Sequence, residues 1–286
     1  MIEIKAELVK KLRERTGAGM MDAKKALVEA GGDMEKAIDV LRTKGLAKAA
    51  KKSDREAAAG AVGLVADGCR GVVVEVNSET DFVARNGKFQ AFVKEVAGVA
   101  AACNGDIGKI MDSKIDGASM QEELASHISA IGERLHIRRA DEVAVSRGMV
   151  VPYIHNKLAD GIGLIGVLVG IESSAPPSKI QEVGEQIAMH VAASSPQFLN
   201  IEDVDAATLS REEEIAREKA IAAGKPAEIA EKMVAGNIKK YYDEVVLNEQ
   251  AFFIDPSKKI KDVVKAISPD AKIVKFVRFQ VGEGAK

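Results

Sequence analysis

Apolar positions in the first forty-five residues recur at helical spacing in three stripes: Ile4, Leu8 and Leu12; Ala23, Ala26, Leu27 and Ala30; Ala37, Ile38 and Leu41. The punctuation between them agrees. Thr16-Gly17-Ala18-Gly19 separates the first two stripes, Gly31-Gly32-Asp33 offers a stop and then an N-cap, and Gly45 stands where a C-cap glycine belongs. Three short helices are expected, a bundle too small to be a catalytic domain. Residues 46–59, with Lys48, Lys51, Lys52, Asp54, Arg55 and Glu56 among alanines, read as a charged helical linker with a solvated face. The pattern then turns to strands over 61–66 and 71–76, with Asp67-Gly68 as the hairpin turn. The run Val72-Val73-Val74-Glu75-Val76 lacks alternation, as in a strand covered on both faces. Phe89, Phe92, Val93, Val96, Ala97 and Ala100 resume helical periodicity.

Between that strand and that helix lies Asn77-Ser78-Glu79-Thr80-Asp81-Phe82-Val83, with Asn86-Gly87 soon after. There is room for about one helical turn, with Thr80 as N-cap and Phe82 on a raised turn at the sheet's end. Phe82 either folds back under the loop as core or points outward as a wedge for a partner. A shift of 95 residues aligns 71–76 with 166–171, and pairs Phe92 with Ile187, Val96 with Val191 and Ala97 with Ala192. One offset serving strand and helix together indicates a duplicated α+β unit. In the second copy, Ala175-Pro176-Pro177 stands where the first has Thr80-Asp81-Phe82. The unit's architecture therefore does not require an aromatic turn, which makes Phe82 a functional candidate.

Gly161-Ile162-Gly163-Leu164-Ile165-Gly166 matches the dinucleotide-binding glycine pattern, but that motif needs a helix after it, and here a strand follows. Its glycines read as turn residues. Ile137-Arg138-Arg139 is a short strand candidate whose cations pair with acids rather than with phosphate. Farther on, Ser210-Arg211-Glu212-Glu213 has the form of a capping box opening a helix that stops at Gly224, and Pro226 suits the first turn of the next. The second helix carries a narrow stripe of Ile229, Met233 and Tyr241 beside Lys239 and Lys240. Residues 204–246 are thus expected to form an antiparallel helical hairpin that covers mainly itself. A strand over 252–254, a helix with Ile260, Val263, Val264 and Ile267, and a closing strand over 273–281 complete the pattern. The fold class is α+β, divided into an N-terminal helical domain with linker (1–54), a first core subdomain (55–145), a second (146–203 and 247–286) and the inserted hairpin (204–246).

Composition narrows the chemistry. Among 286 residues, Lys+Arg 41 against Asp+Glu 43 gives a net charge of -2, without the basic excess of a dedicated nucleic-acid binder. The absence of Trp and an aromatic content of 4% disfavour base-stacking platforms. Cys69 and Cys103 stand alone, which fits a reducing compartment. With no apolar signal core at the N-terminus and no membrane-length apolar run, a cytoplasmic protein without membrane association is expected. His127, His136, His155 and His190 lack metal-ligand spacing, and no nucleophile elbow or phosphate-binding loop is present, so neither an enzyme, a metal site nor a cofactor is expected. Asp81 is a lone carboxylate. Met20 and Met21 read either as gap-filling core or as an adaptable contact surface, and His155 either as a structural imidazole or as a surface contact. The residues together describe an interaction protein with appendages.

Four stretches carry a resemblance. They are the run from Arg13 to Asp22 containing Thr16-Gly17-Ala18-Gly19-Met20-Met21, the run Asn77 to Val83, the run Ile187 to Ala193, and Phe276-Val277-Arg278-Phe279 with its Val281-Gly282-Glu283-Gly284 tail. In this order they resemble bacterial translation elongation factor Ts over nearly the whole chain. The resemblance implies a guanine-nucleotide exchange factor for elongation factor Tu, meeting it GDP-bound and nucleotide-free. It also implies a ubiquitin-associated-like N-terminal domain, a two-subdomain core and an inserted coiled coil. The family's Thr-Asp-Phe-Val motif falls on Thr80, Asp81, Phe82 and Val83, implicated in dislocating magnesium from the partner. Arg13, Met20 and Met21 match positions that touch the partner's nucleotide domain, and His155 one that faces another partner domain. The resemblance leaves open a dimer of heterodimers. Ser78 stands where relatives often have Cys, Gln280 where Glu is frequent, and the sequence ends at Lys286, where some relatives continue into a further helix.

Overall fold

The computed structural model describes residues 4–115, 117–223 and 226–285. Its elements are α1 (Ala6–Thr16), α2 (Met20–Glu29) and α3 (Met34–Ala50), the hairpin β1 (Ala59–Asp67) and β2 (Arg70–Ser78), then α4 (Asp81–Ala84), α5 (Gly87–Ala102) and α6 (Ile107–Asp112). A small hairpin of β3 (Lys114–Ile115) and β4 (Ala118–Ser119) leads into α7 (Met120–Ile131) and β5 (Leu135–Ala144). There follow β6 (Gly148–Ala159), β7 (Ile162–Glu172), α8 (Pro177–Ser194), α9 (Ala206–Ala222), α10 (Ala227–Val245), α11 (Ile260–Lys265) and β8 (Lys272–Gln280). The fold is α+β.

The main sheet is antiparallel in the order β5-β2-β1-β7-β6, with β8 also paired to β7. Thus β2 lies between β1 and β5, and β7 between β6 and β8. The two groups of strands are joined in the sheet through the β1–β7 pairs Val62↔Gly163 and Gly63↔Ile162. In each group a hairpin is followed by a long helix and a returning strand. Val72, Val74 and Val76 of β2 pack beneath α5 with Phe89, Phe92 and Val96, while Val73 packs on the other face with Leu168, Val277 and Phe279. Two buried faces are why this strand shows no apolar-polar alternation. The apolar face of α8, with Ile180, Ile187 and Val191, covers β7 together with α11.

The first three helices close round Val9, Leu12, Ala23, Ala26, Leu27 and Ala37. Gly17, at φ 64°, ends α1, and Asp33 caps α3 by accepting from the Lys36 amide. Gly45 ends nothing. It is buried inside α3 where that helix crosses α7, and a Cβ there would stand 3.5 Å from the Ala125 carbonyl oxygen. Packing against α7 outweighs the local preference of glycine for a cap. The expected linker is consequently the last turns of α3 and a series of turns, and two of its lysines are engaged. Lys48 reaches Asp22 at 2.9 Å and Ser129 at 3.4 Å, and Lys52 donates to the Gly132 carbonyl.

Other expectations need correction. Only Gly161 of the glycine pattern is a turn residue; Gly163 and Gly166 lie within β7, where a Cβ would come within 2.4 Å of Ile154 Cγ2 and 2.6 Å of Val62 Cγ1. The α9 helix begins before Ser210, because Asp205 accepts from the Thr208 amide at 2.8 Å and caps it first. The stop assigned to Gly224 lies outside the described residues. Ala216, Ala220, Ala230 and Val234 are the buried positions between α9 and α10, and Ile229 is exposed; the pairing of Arg217 with Glu231 at 3.2 Å fits antiparallel helices. Residues 252–254 are not a strand: Phe252 is buried in an irregular loop, while Phe253 and Ile254 face outward. Neither α6 nor α7 was anticipated from periodicity.

Candidate functional site

The end of β2 is buried through Asn77 and Ser78, and the chain then leaves the sheet in a clasped turn. Ser78 Oγ donates to the Thr80 carbonyl at 2.9 Å. Thr80 occupies the N-cap position of α4, as expected, but its side chain caps nothing. Instead Thr80 Oγ1 donates to Glu133 Oε1 at 2.7 Å and its N–H to Glu133 Oε2 at 3.0 Å. Next to it, Glu79 Oε1 accepts the Arg134 N–H at 2.6 Å, and both its oxygens take Arg55 Nη1 at 3.3 Å. The Arg134 amide first, and Arg55 after it, hold the Glu79 carboxyl below its ordinary value against the opposing effect of burial.

Beyond Thr80, the single turn of α4 divides its residues by side. Val83 and Ala84 are buried with Phe89 and Phe92, and the Ala84 carbonyl accepts from Gln90 Nε2 at 3.1 Å. The Arg85 and Asn86 amides close on the carbonyls of Asp81 and Val83, and Asn86 caps α5 through the Lys88 amide. A one-turn helix has one inner side, and two small apolar residues already occupy it. Phe82 is therefore left 81% exposed, with Asp81 exposed beside it.

Met20 and Met21 are 61% and 62% exposed in the first turn of α2, so neither fills the bundle core; Arg13 is exposed in the last turn of α1. The bundle reaches the aromatic turn through α7. The Thr16 carbonyl accepts from Ser126 Oγ at 3.4 Å, Lys48 joins Asp22 to Ser129, and Lys52 holds Gly132, the neighbour of Glu133. His155 stands apart, on β6, with β1 and β7 between it and β2 in the sheet. It is exposed, and its Nδ1 lies 3.1 Å from the Tyr153 hydroxyl.

Two of the remaining histidines are structural, and His136 is exposed on β5. His127 packs on Phe92 at 4.2 Å, His190 Nε2 lies 2.8 Å from Gln250 Oε1, and burial is the first cause holding His127 and His190 below the ordinary imidazole value. Arg138 and Arg139 pair with the buried Glu75 at 3.1 and 2.6 Å, as the reading of their cations expected. Among the described residues no group of three or more His, Cys, Asp or Glu converges as a metal site, and no helix is long and apolar enough to cross a membrane. Sequence reasoning missed Glu133 and Arg134. They lie in the connection between α7 and β5, far along the chain from Thr80, and no local pattern marks them.

A family model described as Elongation factor TS matches residues 79–283, a span that begins at this turn. Full-length similarity extends further. Elongation factor Ts of Rhodospirillum centenum is 51% identical over 290 residues, covering 99% of this chain and 94% of the relative. That of Zymomonas mobilis subsp. mobilis is 52% identical over 289 residues, with the same two coverages. That of Maricaulis maris is 48% identical over 294 residues, covering 100% of this chain and 94% of the relative.

Proposed function

The chain belongs to the elongation factor Ts family, and from that premise we propose that it is a guanine-nucleotide exchange factor for elongation factor Tu. On this reading it acts in the bacterial cytoplasm during translation elongation and promotes GDP release without covalent chemistry. GDP on such a partner is held by backbone amides of a phosphate loop and by a magnesium ion bridging protein and phosphates. Phe82 enters an apolar pocket of the partner and displaces a helix, while Asp81 disturbs the water and carboxylate network round the magnesium; Thr80 and Val83 hold the turn that carries them. Arg13, Met20 and Met21 dock on the nucleotide domain, and His155 meets another domain of the partner.

The observation that carries this reading is a large aromatic side chain projecting from a turn whose neighbours are buried and clasped. Burial of a Phe ring contributes about 2 kcal/mol. Applied as coupling between two ligands, that is roughly a 30-fold loss of GDP affinity, and by reciprocity GDP weakens the exchange factor's binding by the same factor. Either can then leave, as turnover requires.

The test follows release of a fluorescent GDP analogue from elongation factor Tu with the full chain at substoichiometric amounts. Acceleration with turnover, lost in Phe82→Ala, is the expected result. No acceleration by the parent chain would overturn the exchange function. Equal acceleration by Phe82→Ala and Asp81→Ala would move the mechanism to the N-terminal helices and the rest of the core.

A further inference from the structure

Two neighbouring pairs of residues hold each other by a reciprocal exchange. Glu79 accepts the Arg134 amide, and Glu133 accepts the Thr80 amide and hydroxyl. We propose, resting on the exchange reading above, that Glu133 is a positioning residue for nucleotide exchange, fixing the angle at which Phe82 is presented. The reason lies in the size of α4. A helix of a single turn has no stability of its own, so its orientation is set by where it is anchored. Its anchors are the buried Val83 and Ala84 at one end and Thr80 at the other. Without Glu133, Thr80 keeps only the bond that its carbonyl accepts from Ser78 Oγ, so the turn gains freedom to roll about the buried pair, and Phe82 rolls with it. The brace stands on the α7–β5 connection, whose Gly132 is also held by Lys52, so the wedge is referred to the same helix that carries the N-terminal bundle.

The competing account is that such a brace serves only the architecture, and the molecule contains the control. Asp270, two residues before β8, accepts the Ser174 amide at 3.0 Å and the Ser174 hydroxyl at 2.9 Å, just as Glu133, two residues before β5, accepts those of Thr80. The second connection bears no aromatic turn.

The experiment measures the maximal GDP-release rate and the half-saturating concentration of elongation factor Tu·GDP for the full chain and its variants. Glu133→Ala is expected to lower the maximal rate about tenfold while the half-saturating concentration moves by less than about twofold, since Arg13, Met20 and Met21 are untouched. Glu133→Gln retains most of the rate, because its amide accepts from the Thr80 N–H and donates to the Thr80 hydroxyl. Asp270→Ala keeps the parental rate. In a Phe82→Ala background, Glu133→Ala has no further effect, as a residue acting through Phe82 requires. Should the alanine variant fold poorly, Glu133→Asp, too short to reach both Thr80 atoms, takes its place in the same cycle and loses rate in the same direction. Equal slowing by Asp270→Ala, losses that multiply in the double variant, or an unchanged rate in the Glu133 variants would each overturn the positioning role while leaving exchange intact. A parent chain that fails to accelerate release overturns the exchange reading itself and the positioning role with it.

Discussion

After β2 the chain runs through residues 79–86 before α5 begins, whereas after β7 it needs only 173–176 before α8. Both connections are pinned by a carboxylate that stands two residues before the returning strand. They differ in what is carried on the pin. The first adds the turn of α4, projects Phe82 and restarts the helix with Asn86 as a side-chain cap. The second passes directly into Pro176-Pro177, where fixed φ angles open the helix and no side chain caps it. The comparison separates an architectural device present in both halves from an addition present in one, and the addition is the exposed aromatic.

The central strands differ as well. Glu75, buried in β2, accepts from Arg138, Arg139, the Asn77 side-chain Nδ2 at 2.9 Å and the Gly282 N–H at 2.8 Å, so that β5 and the segment after β8 are tied to the first half. The same offset places Gly170 in β7, where a Cβ would stand 2.7 Å from Val143 Cγ1. One half places an ionic tie in its strand, and in the other the side chains of Val143 and Val145 fill the place that a Cβ would take.

Breaking the tie gives the largest expected effect. Glu75→Ala leaves two arginines without their shared partner and is expected to cost about 3 kcal/mol in urea unfolding. The next concerns the wedge. Phe82→Ala is expected to slow GDP release roughly 30-fold while changing stability by less than about 0.5 kcal/mol, because the ring touches little in the free protein; fluorescence release assays and melting curves check the two halves of the statement. Smaller again is the cap. Asn86→Ala is expected to cost about 1 kcal/mol, whereas Pro176→Ala has no cap bond to lose, a difference readable in paired denaturation curves.

The smallest effect is a pH dependence. Burial alone would raise the Glu75 carboxyl, but Asn77, the Gly282 amide and Arg139 outweigh it and lower it below its ordinary value of 4.5. A depressed carboxylate contributes stability that is fully present above the unfolded-state value and is lost as pH falls through the folded one. The parent chain should therefore lose stability on acidification below about pH 4.5 more steeply than Glu75→Gln. Equal slopes for the two proteins would show that Glu75 is not coupled to folding in this way.

The elements most legible in the sequence were those whose signals are local. All six apolar positions read for α5 are buried, and the unbroken valine run of β2 does have two covered faces. At Gly45 under α7, and at Phe252 drawn into the core beside outward-facing Phe253 and Ile254, a longer-range contact overrode a local signal, whereas at Asp205, which caps ahead of Ser210, one local signal outcompeted another. The site divides along the same line. Its motif residues were visible, and the residues that brace them were not.

By itself the sequence determined the periodicities, the turn chemistry after β2, the repeat at a 95-residue offset and the family to which those motifs belong, because each is written in neighbouring residues or in a constant spacing. Only the tertiary structure decided that Phe82 faces outward, that the Thr80 hydroxyl turns away from its own helix, and that Glu133 receives it. Burial and hydrogen-bond partnership depend on which distant surfaces meet, and for α4 the inner side is filled by Val83 and Ala84.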